Sequence, residues 1–534
     1  MPAIRRQLRW IAPVMVLALA ALLRFWALGR PGTLVFDELY YVRDAISQLA
    51  HGYPTVWPDD DPSMAGARAT AFSAVASNAV HPPLGKWLIG LGVLAFGADG
   101  AGSGTGWGWR SAVALAGVLT VAVTMRLGWL MSRSLWIACV AGLLLAVDGV
   151  HVVLTRVGLL DGFLALFIAL GALLVWHDLE WTARRSGRHG ANRRSGRILW
   201  WRPWLLAAGL AFSAAAAVKW SGLYPLAFFL IFVTVRDLLA RLRSRGERAA
   251  SPDPESHSLP DPESQSRLTA HPVLASIAQA GATALIALPA AASAYLASWI
   301  GWIANPGGYG REPGAPWPVS LAKYHGEMLS WHRTLSAPHP FQSHPLEWPL
   351  ALRPTAMYEH RWNEGCAWTE CVSGISPLPN PFVTWGGVVA LVALAALAVI
   401  AARRTASPLA LAAGFVITGY LSGWLPWVLT FSRSAVFQFY TVVLTPFSAL
   451  ALALVLGLLW GERIRSAATP VAVPGAIPRP MLDGSPEALR GRRVAVALFL
   501  AVAVLLGILF FPVWSGMPVA DWFWQSHMWL PGWA

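Results

Sequence analysis

The chain has 534 residues, 56% of them hydrophobic and 13% charged. A soluble domain of this length carries about twice that share of charge, so composition excludes a water-soluble globular protein. The formal net charge of +13 points to nucleic acid only in a soluble chain; in a membrane protein it is topogenic, because Arg and Lys collect on the cytoplasmic side.

Runs of about 20 apolar residues recur along the chain, each long enough to cross a hydrocarbon core of ~30 Å. A β-barrel needs short alternating segments instead. The first helix is expected over roughly Ile11 to Leu28, after a basic start (Arg5, Arg6, Arg9) with no small-residue cleavage site, which reads as an uncleaved helix. A polar, aromatic-rich segment follows to Pro83. Further runs start near Arg110, Leu135, Leu159, Pro203, Ser221, His271, Phe382, Pro408, Val436 and Val494, giving eleven spans in all. The run Trp87–Phe96 is too short to cross and is read as a helix in the outer interface.

Charge supports this count. With the N-terminus cytoplasmic, inner loops hold Arg184, Arg185, Arg188, Arg193, Arg194 and Arg197, then Arg241 to Arg248, Arg403 and Arg404, and Arg463 to Arg493. If Trp87–Phe96 spanned, the loop at 184–197 would flip outward, against the positive-inside rule. The reading is a catalytic bundle over 1–459 with outer loops 29–109 and 302–381, and a disordered cytoplasmic linker at 240–270 containing SPDPESHSLPDPESQS. A cytoplasmic loop at 460–493 follows, then a last span with a Trp-rich extracytoplasmic end over 494–534. Cys366 and Cys371 lie five apart in an outer loop, where a disulfide can form if that compartment is oxidising.

Chemistry-bearing residues gather on the outer side. Asp37 and Glu38, flanked by Phe36, Leu39, Tyr40 and Tyr41, can supply a general base and a substrate-orienting group; solvated surface charge is the competing reading. His81-Pro82-Pro83-Leu84-Gly85-Lys86 leads into the short helix, with Lys86 either meeting a phosphate or snorkelling. Arg110, Arg156, Asp161 and Arg433 sit at outer ends of spans, where ionisable groups are functional or paired, Arg156 with Asp161 being the structural competitor. The histidines of 302–381 (His325, His332, His339, His344) lack metal-ligand spacing and read as surface residues. A proton-coupled transporter needs midplane carboxylates, whereas a one-sided mix of acids and bases suits an enzyme acting on a lipid-borne phosphate.

At these residues the sequence resembles the protein O-mannosyltransferases, glycosyltransferase family 39-like enzymes of the GT-C class. The likeness runs from Asp37-Glu38 through His81 to Lys86, Trp109-Arg110, Arg156 and Leu160-Asp161-Gly162. It continues at Tyr324-His325, Ser336 to Pro340, Ser432-Arg433, Phe437, Phe439-Tyr440, Phe511-Pro512 and His527-Met528-Trp529. It implies an all-α GT-C bundle and inverting transfer of mannose from polyprenyl-phosphate-mannose to Ser or Thr hydroxyls of exported proteins, at the outer face of the bacterial cytoplasmic membrane. It also implies Asp37 as base, Glu38 as a positioning group, and Arg110 and Lys86 on the carrier phosphate, with His81, Arg156, Asp161 and Arg433 completing the substrate site. No cofactor and no metal are expected, and no nucleic acid. The partners are membrane lipid, the donor, the acceptor proteins and, for acceptor delivery, the export machinery. The loop at 302–381 lacks the β-trefoil of eukaryotic members, so the resemblance is to the bacterial branch. A GT-C enzyme glycosylating a lipid or glycan, and a polyprenyl-sugar flippase, are the alternatives.

Overall fold

The computed structural model describes residues 2–98, 106–188, 198–250, 272–336, 338–402, 407–430, 433–468 and 484–533. The repeat at 251–266, the middle of the 466–489 loop, and Arg193, Arg194, Arg197, Arg403, Arg404 and Ser432 lie outside them.

The chain is mainly helical. In order the helices are α1 (Pro2–Phe25), α2 (Glu38–His51), α3 (Leu84–Phe96), α4 (Trp107–Ser132), α5 (Leu135–Ala146), α6 (Gly149–Leu154), α7 (Asp161–Arg188), α8 (Pro203–Val218) and α9 (Leu223–Ala250). Then come α10 (Pro272–Ser298), α11 (Ile300–Ala304), α12 (Trp317–Thr334), α13 (Pro381–Ala402), α14 (Pro408–Val428), α15 (Thr445–Trp460), α16 (Pro486–Ser515) and α17 (Asp521–Gln525). Seven of the described helices are long and apolar enough to cross a membrane. Five shorter apolar helices accompany them, and α3, with 13 residues, is the one whose run was too short to span. Helix α9 continues to Ala250, into the stretch expected as linker.

Local chemistry sets several ends. Ser134 caps α5 by accepting from Ile137 N, and Asp148 caps α6 by accepting from His151 N at 2.8 Å. The glycine after α2, Gly52, takes φ +83° and returns its N–H to Gln48 O, the left-handed stop that glycine adopts without steric cost.

Lipid supplies no hydrophobic drive between helices, so close packing of small residues does that work. Helix α7 lies along α8, and α8 along α10. A Cβ on Gly209 of α8 would stand 2.7 Å from Ala287 O of α10. One end of this group is tied by Arg202, fully buried, which pairs with Asp178 of α7 and, at 3.0 Å, with Asp237 of α9. It also donates to Thr283 of α10 at 3.2 Å. Burying the guanidinium is tolerable because two carboxylates and a hydroxyl receive it.

The 302–381 segment adds strands to an architecture expected as all-helical. Strand β1 (Tyr358–Trp362) pairs antiparallel with β2 (Cys371–Ile375), in register Trp362↔Cys371, and β2 pairs with β3 (Val519–Ala520). Cys366 and Cys371 are disulfide-bonded across this hairpin. Arg361 binds Glu359 at 2.6 Å and Asp521 at 2.7 Å, fastening the hairpin to the C-terminal segment.

Candidate active site

The site begins with a bend. Phe36 has φ +49°, a left-handed conformation that a bulky residue adopts only where its surroundings enforce it. The bend leaves Asp37 at the N-cap of α2 and Glu38 as its first residue, and the two carboxylates take different partners.

Glu38 is fully buried. It accepts from Arg110 Nε and Nη2, both at 2.7 Å, from Val35 N at 2.9 Å and from Gly158 N at 2.6 Å. The remaining guanidinium bonds of Arg110 go to Leu28 O, Pro31 O and Thr33 O. Position 158 must be small, since a Cβ there would meet Trp109 O at 3.0 Å and Glu38 Oε1 at 3.2 Å. The pair therefore fastens the start of α2 to α4 and to the turn before α7.

Asp37 is half-buried and is bonded by Tyr41 Oη at 3.3 Å. Behind it Lys219 Nζ contacts Asp161 Oδ2 at 2.6 Å. The ammonium also lies over the rings of Tyr440 (5.3 Å), Phe439 (5.6 Å) and Tyr41 (5.8 Å), a cation–π arrangement. Burial pushes the Asp37 carboxyl up to about 6; Lys219 opposes that shift and Asp161 adds to it.

A second cation stands beside this group. Arg433 donates from Nε to Ala435 O at 2.9 Å and from Nη2 to Tyr440 Oη at 3.2 Å, and its Nη1 lies 3.2 Å from His332 Nδ1. All three partners are neutral, and Arg433 makes no carboxylate contact among the described residues. His332 stacks near His81 with ring centroids 5.2 Å apart, and His81 lies 5.8 Å from the Tyr41 ring. Burial and the neighbouring cations hold the His81 imidazole well below its ordinary pKa, so it is neutral at physiological pH.

Of the residues expected from sequence, Asp37, Asp161, His81 and Arg433 thus gather in one cluster. Glu38 and Arg110 form the adjacent buried pair. Lys86 is neither snorkelling nor free: it is buried, 3.0 Å from Asp44 Oδ2, and donates to His81 O. It borders a small cleft walled by Trp299, Trp302, Tyr309 and Tyr324. The competing Arg156–Asp161 pair does not form. Arg156 donates to Leu23 O and Arg24 O, capping the end of α1, while Asp161 takes Lys219. The histidines divide: His339 and His344 are exposed, whereas His325 and His332 pack into the site wall.

From sequence, Lys219 has no site role, Tyr41 and Tyr440 are named only as neighbours within motifs, and His332 reads as a surface residue, whereas all four belong to this cluster. Lys219 carried a readable signal, being one of three lysines in the chain and set inside an apolar run, where a charge needs a partner. Among the described residues, no three His, Cys, Asp or Glu side chains converge in a metal-sized group.

Comparison with known proteins shows the family and the fold. Residues 76–299 match the family described as dolichyl-phosphate-mannose-protein mannosyltransferase, and residues 319–533 match the C-terminal four-transmembrane region of protein O-mannosyltransferase. A polyprenol-phosphate-mannose–protein mannosyltransferase of Mycobacterium tuberculosis is 30% identical, over 98% of this chain and 92% of its own. The chain belongs to the protein O-mannosyltransferase family. A Mycolicibacterium smegmatis member of the same description is 28% identical, over 98% of this chain and 93% of its own. The fold is the family's GT-C bundle. The Saccharomyces cerevisiae protein O-mannosyltransferase Pmt1-Pmt2 complex, solved bound to its sugar donor, superposes with a TM-score of 0.69 at 14% identity, covering 98% of this chain and 92% of that one.

Proposed function

We propose that this family member transfers mannose from polyprenyl-phosphate-mannose to Ser or Thr hydroxyls of exported proteins, at the outer face of the cytoplasmic membrane. The observation that carries the reading is one carboxylate, Asp37, in the field of Lys219, with a second cation, Arg433, joined to the same cluster through Tyr440 and bonded, among the described residues, to neutral partners only.

The chemistry follows from those charges. The acceptor hydroxyl is neutral and needs a base; Asp37, with its affinity for protons raised, takes the proton as the oxygen attacks the anomeric carbon. The bond from that carbon to the phosphate oxygen breaks, and its electron pair leaves with the phosphate. The leaving group gains one negative charge, which Lys219 and Arg433 are placed to meet. A single in-line attack inverts the β-linked donor to an α-linked product with no covalent enzyme intermediate. Glu38 and Arg110 hold the frame on which Asp37 is presented, and we assign neither a cofactor nor a metal to the step.

The seven long helices, together with α1, α5, α8 and α15, give eleven crossings, with α3 in the outer interface. An N-terminus in the cytoplasm then keeps the Arg-rich loops inside and places Asp37, Arg433 and the Cys366–Cys371 hairpin outside. Acceptor selection rests on the outer loops or on delivery by the export machinery.

The test uses membranes expressing the chain, labelled polyprenyl-phosphate-mannose and a Ser/Thr-rich peptide. Label reaches the peptide with the wild type and not with Asp37→Asn. Label moving instead into lipid, or across the bilayer, supports lipid glycosylation or a flippase and overturns the reading.

A further inference from the structure

His332 has a fixed proton arrangement. Its Nε2 lies 2.8 Å from Val80 O. A carbonyl oxygen only accepts, so Nε2 carries the hydrogen. Nδ1 then bears the lone pair, and it faces Arg433 Nη1 at 3.2 Å, a group that only donates. The ring is wedged between His81 at 5.2 Å and Trp220 at 5.8 Å. Burial, Arg433 and Lys219 pull its pKa down to about 4, against the opposing bond to Val80, so the neutral tautomer that these two bonds require persists at physiological pH.

His332 is also the junction between two parts of the site. It sits in the last turn of α12. About two turns earlier on the same face, Tyr324 Oη both donates to Ala79 O and accepts from Ala79 N at 2.9 Å. Helix α12 therefore grips the 79–80 backbone at two points, and only the His332 grip extends to the guanidinium of Arg433.

We infer that His332 is a positioning residue for the reaction: its Nδ1 lone pair aims Arg433 at the leaving phosphate. The inference rests on the phosphate role proposed above for Arg433. A guanidinium held by a backbone oxygen, a phenol and an imidazole nitrogen keeps its full charge for the ligand, whereas a carboxylate in place of the imidazole would neutralise it. The need for an uncharged acceptor at this point is a physical reason for histidine here rather than Asp or Glu. It acts through Arg433 and touches no reacting atom.

Two amide substitutions separate this role from simple anchoring of the loop. His332→Asn puts an amide oxygen near the place of Nδ1, keeping an acceptor for Arg433 and losing the bond to Val80. His332→Gln puts its amide near the place of Nε2, keeping the Val80 bond and losing the acceptor. With the purified full chain, correct folding is checked first by its melting curve. Then kcat is measured with polyprenyl-phosphate-mannose and a Ser/Thr-rich peptide. A donor aimed at developing charge contributes on the order of 100-fold to kcat, and loosening it forfeits part of that. Expected is a fall of about tenfold or more for His332→Gln, and a clearly smaller fall for His332→Asn. In an Arg433→Ala background, adding His332→Gln should cost nothing further, because its route is already gone. The inference is overturned if Gln outperforms Asn, or if the two losses multiply in the double variant. If Arg433→Ala alone leaves kcat unchanged, it is the phosphate role of Arg433 that fails.

Discussion

Glu38 receives two 2.7 Å hydrogen bonds from the guanidinium of Arg110, and both side chains are closed to solvent. Removing one member of such a pair strands a buried charge, at a cost of about 3–5 kcal/mol. Glu38→Ala and Arg110→Ala should each lower the melting temperature of the purified protein by several degrees. The double variant should lose less than the two falls combined, because the second change removes the charge the first one stranded. A Glu38→Ala protein that melts with the wild type would show that the pair does not hold the site together.

The neighbouring carboxylate behaves differently because it must change protonation. With Asp37 pushed up to about 6, chiefly by burial, the base is mostly ionised at neutral pH. It is lost as pH falls. The rate of transfer at low substrate should drop about tenfold per unit below pH 6, and Asp37→Asn should flatten that limb while lowering the rate by roughly 100- to 10,000-fold.

Stability should move the opposite way. A folded-state pKa above the unfolded one means that the folded chain holds the proton more tightly, so ionised Asp37 works against folding. That penalty is absent below about pH 4, grows between there and pH 6, and is complete above. Asp37→Asn should therefore melt higher than wild type at pH 7 and level with it at pH 4. An equal difference at both values would place its origin elsewhere.

How far the sequence discloses this site depends on the residue. Adjacent acids after a first apolar run, and basic groups at one end of the spans, are local patterns, so Asp37, His81, Asp161 and Arg433 stand out as candidates in the sequence. Their partners were not, because Asp161 and Lys219 are 58 positions apart and Arg433 and His332 are 101 apart. Nothing local distinguishes His332 from the exposed His339. The seven long apolar helices followed from hydropathy, but helix α2 and the three-stranded hairpin sheet did not. Short amphipathic elements in a polar loop are stabilised by tertiary contacts rather than by periodicity. The divergence of Asp37 from Glu38 depends on the backbone of Phe36, a conformation that its side chain gives no reason to expect.

Gly158 offers a test of how tightly the frame is built. Its N–H reaches Glu38 at 2.6 Å, and an added Cβ would press on Trp109 O at 3.0 Å and Glu38 Oε1 at 3.2 Å. Glu38 is fixed by four donors and Trp109 O belongs to a helix, so neither yields cheaply. Gly158→Ala should cost about 1–3 kcal/mol and should reduce kcat by displacing the start of α2. Replacing Gly326, whose Cβ would meet nothing within 4 Å, is the matched control for backbone effects on the melting curve.

The sharpest electrostatic test lies in the pair behind the base. Lys219 lowers the proton affinity of Asp37 and Asp161 raises it, while the two bind each other at 2.6 Å. Asp161→Asn removes the repulsive carboxylate and leaves the ammonium facing Asp37, so the acid limb of the rate profile should shift below pH 6. Lys219→Met removes the attraction and leaves Asp161 unpaired, so the limb should shift above pH 6. Lys219→Met should also lower kcat further, because the leaving phosphate loses one of its two cations. Opposite shifts of one limb, from two substitutions on one ion pair, cannot come from general loosening of the fold. Shifts in the same direction would mean that some group other than Asp37 carries the limb.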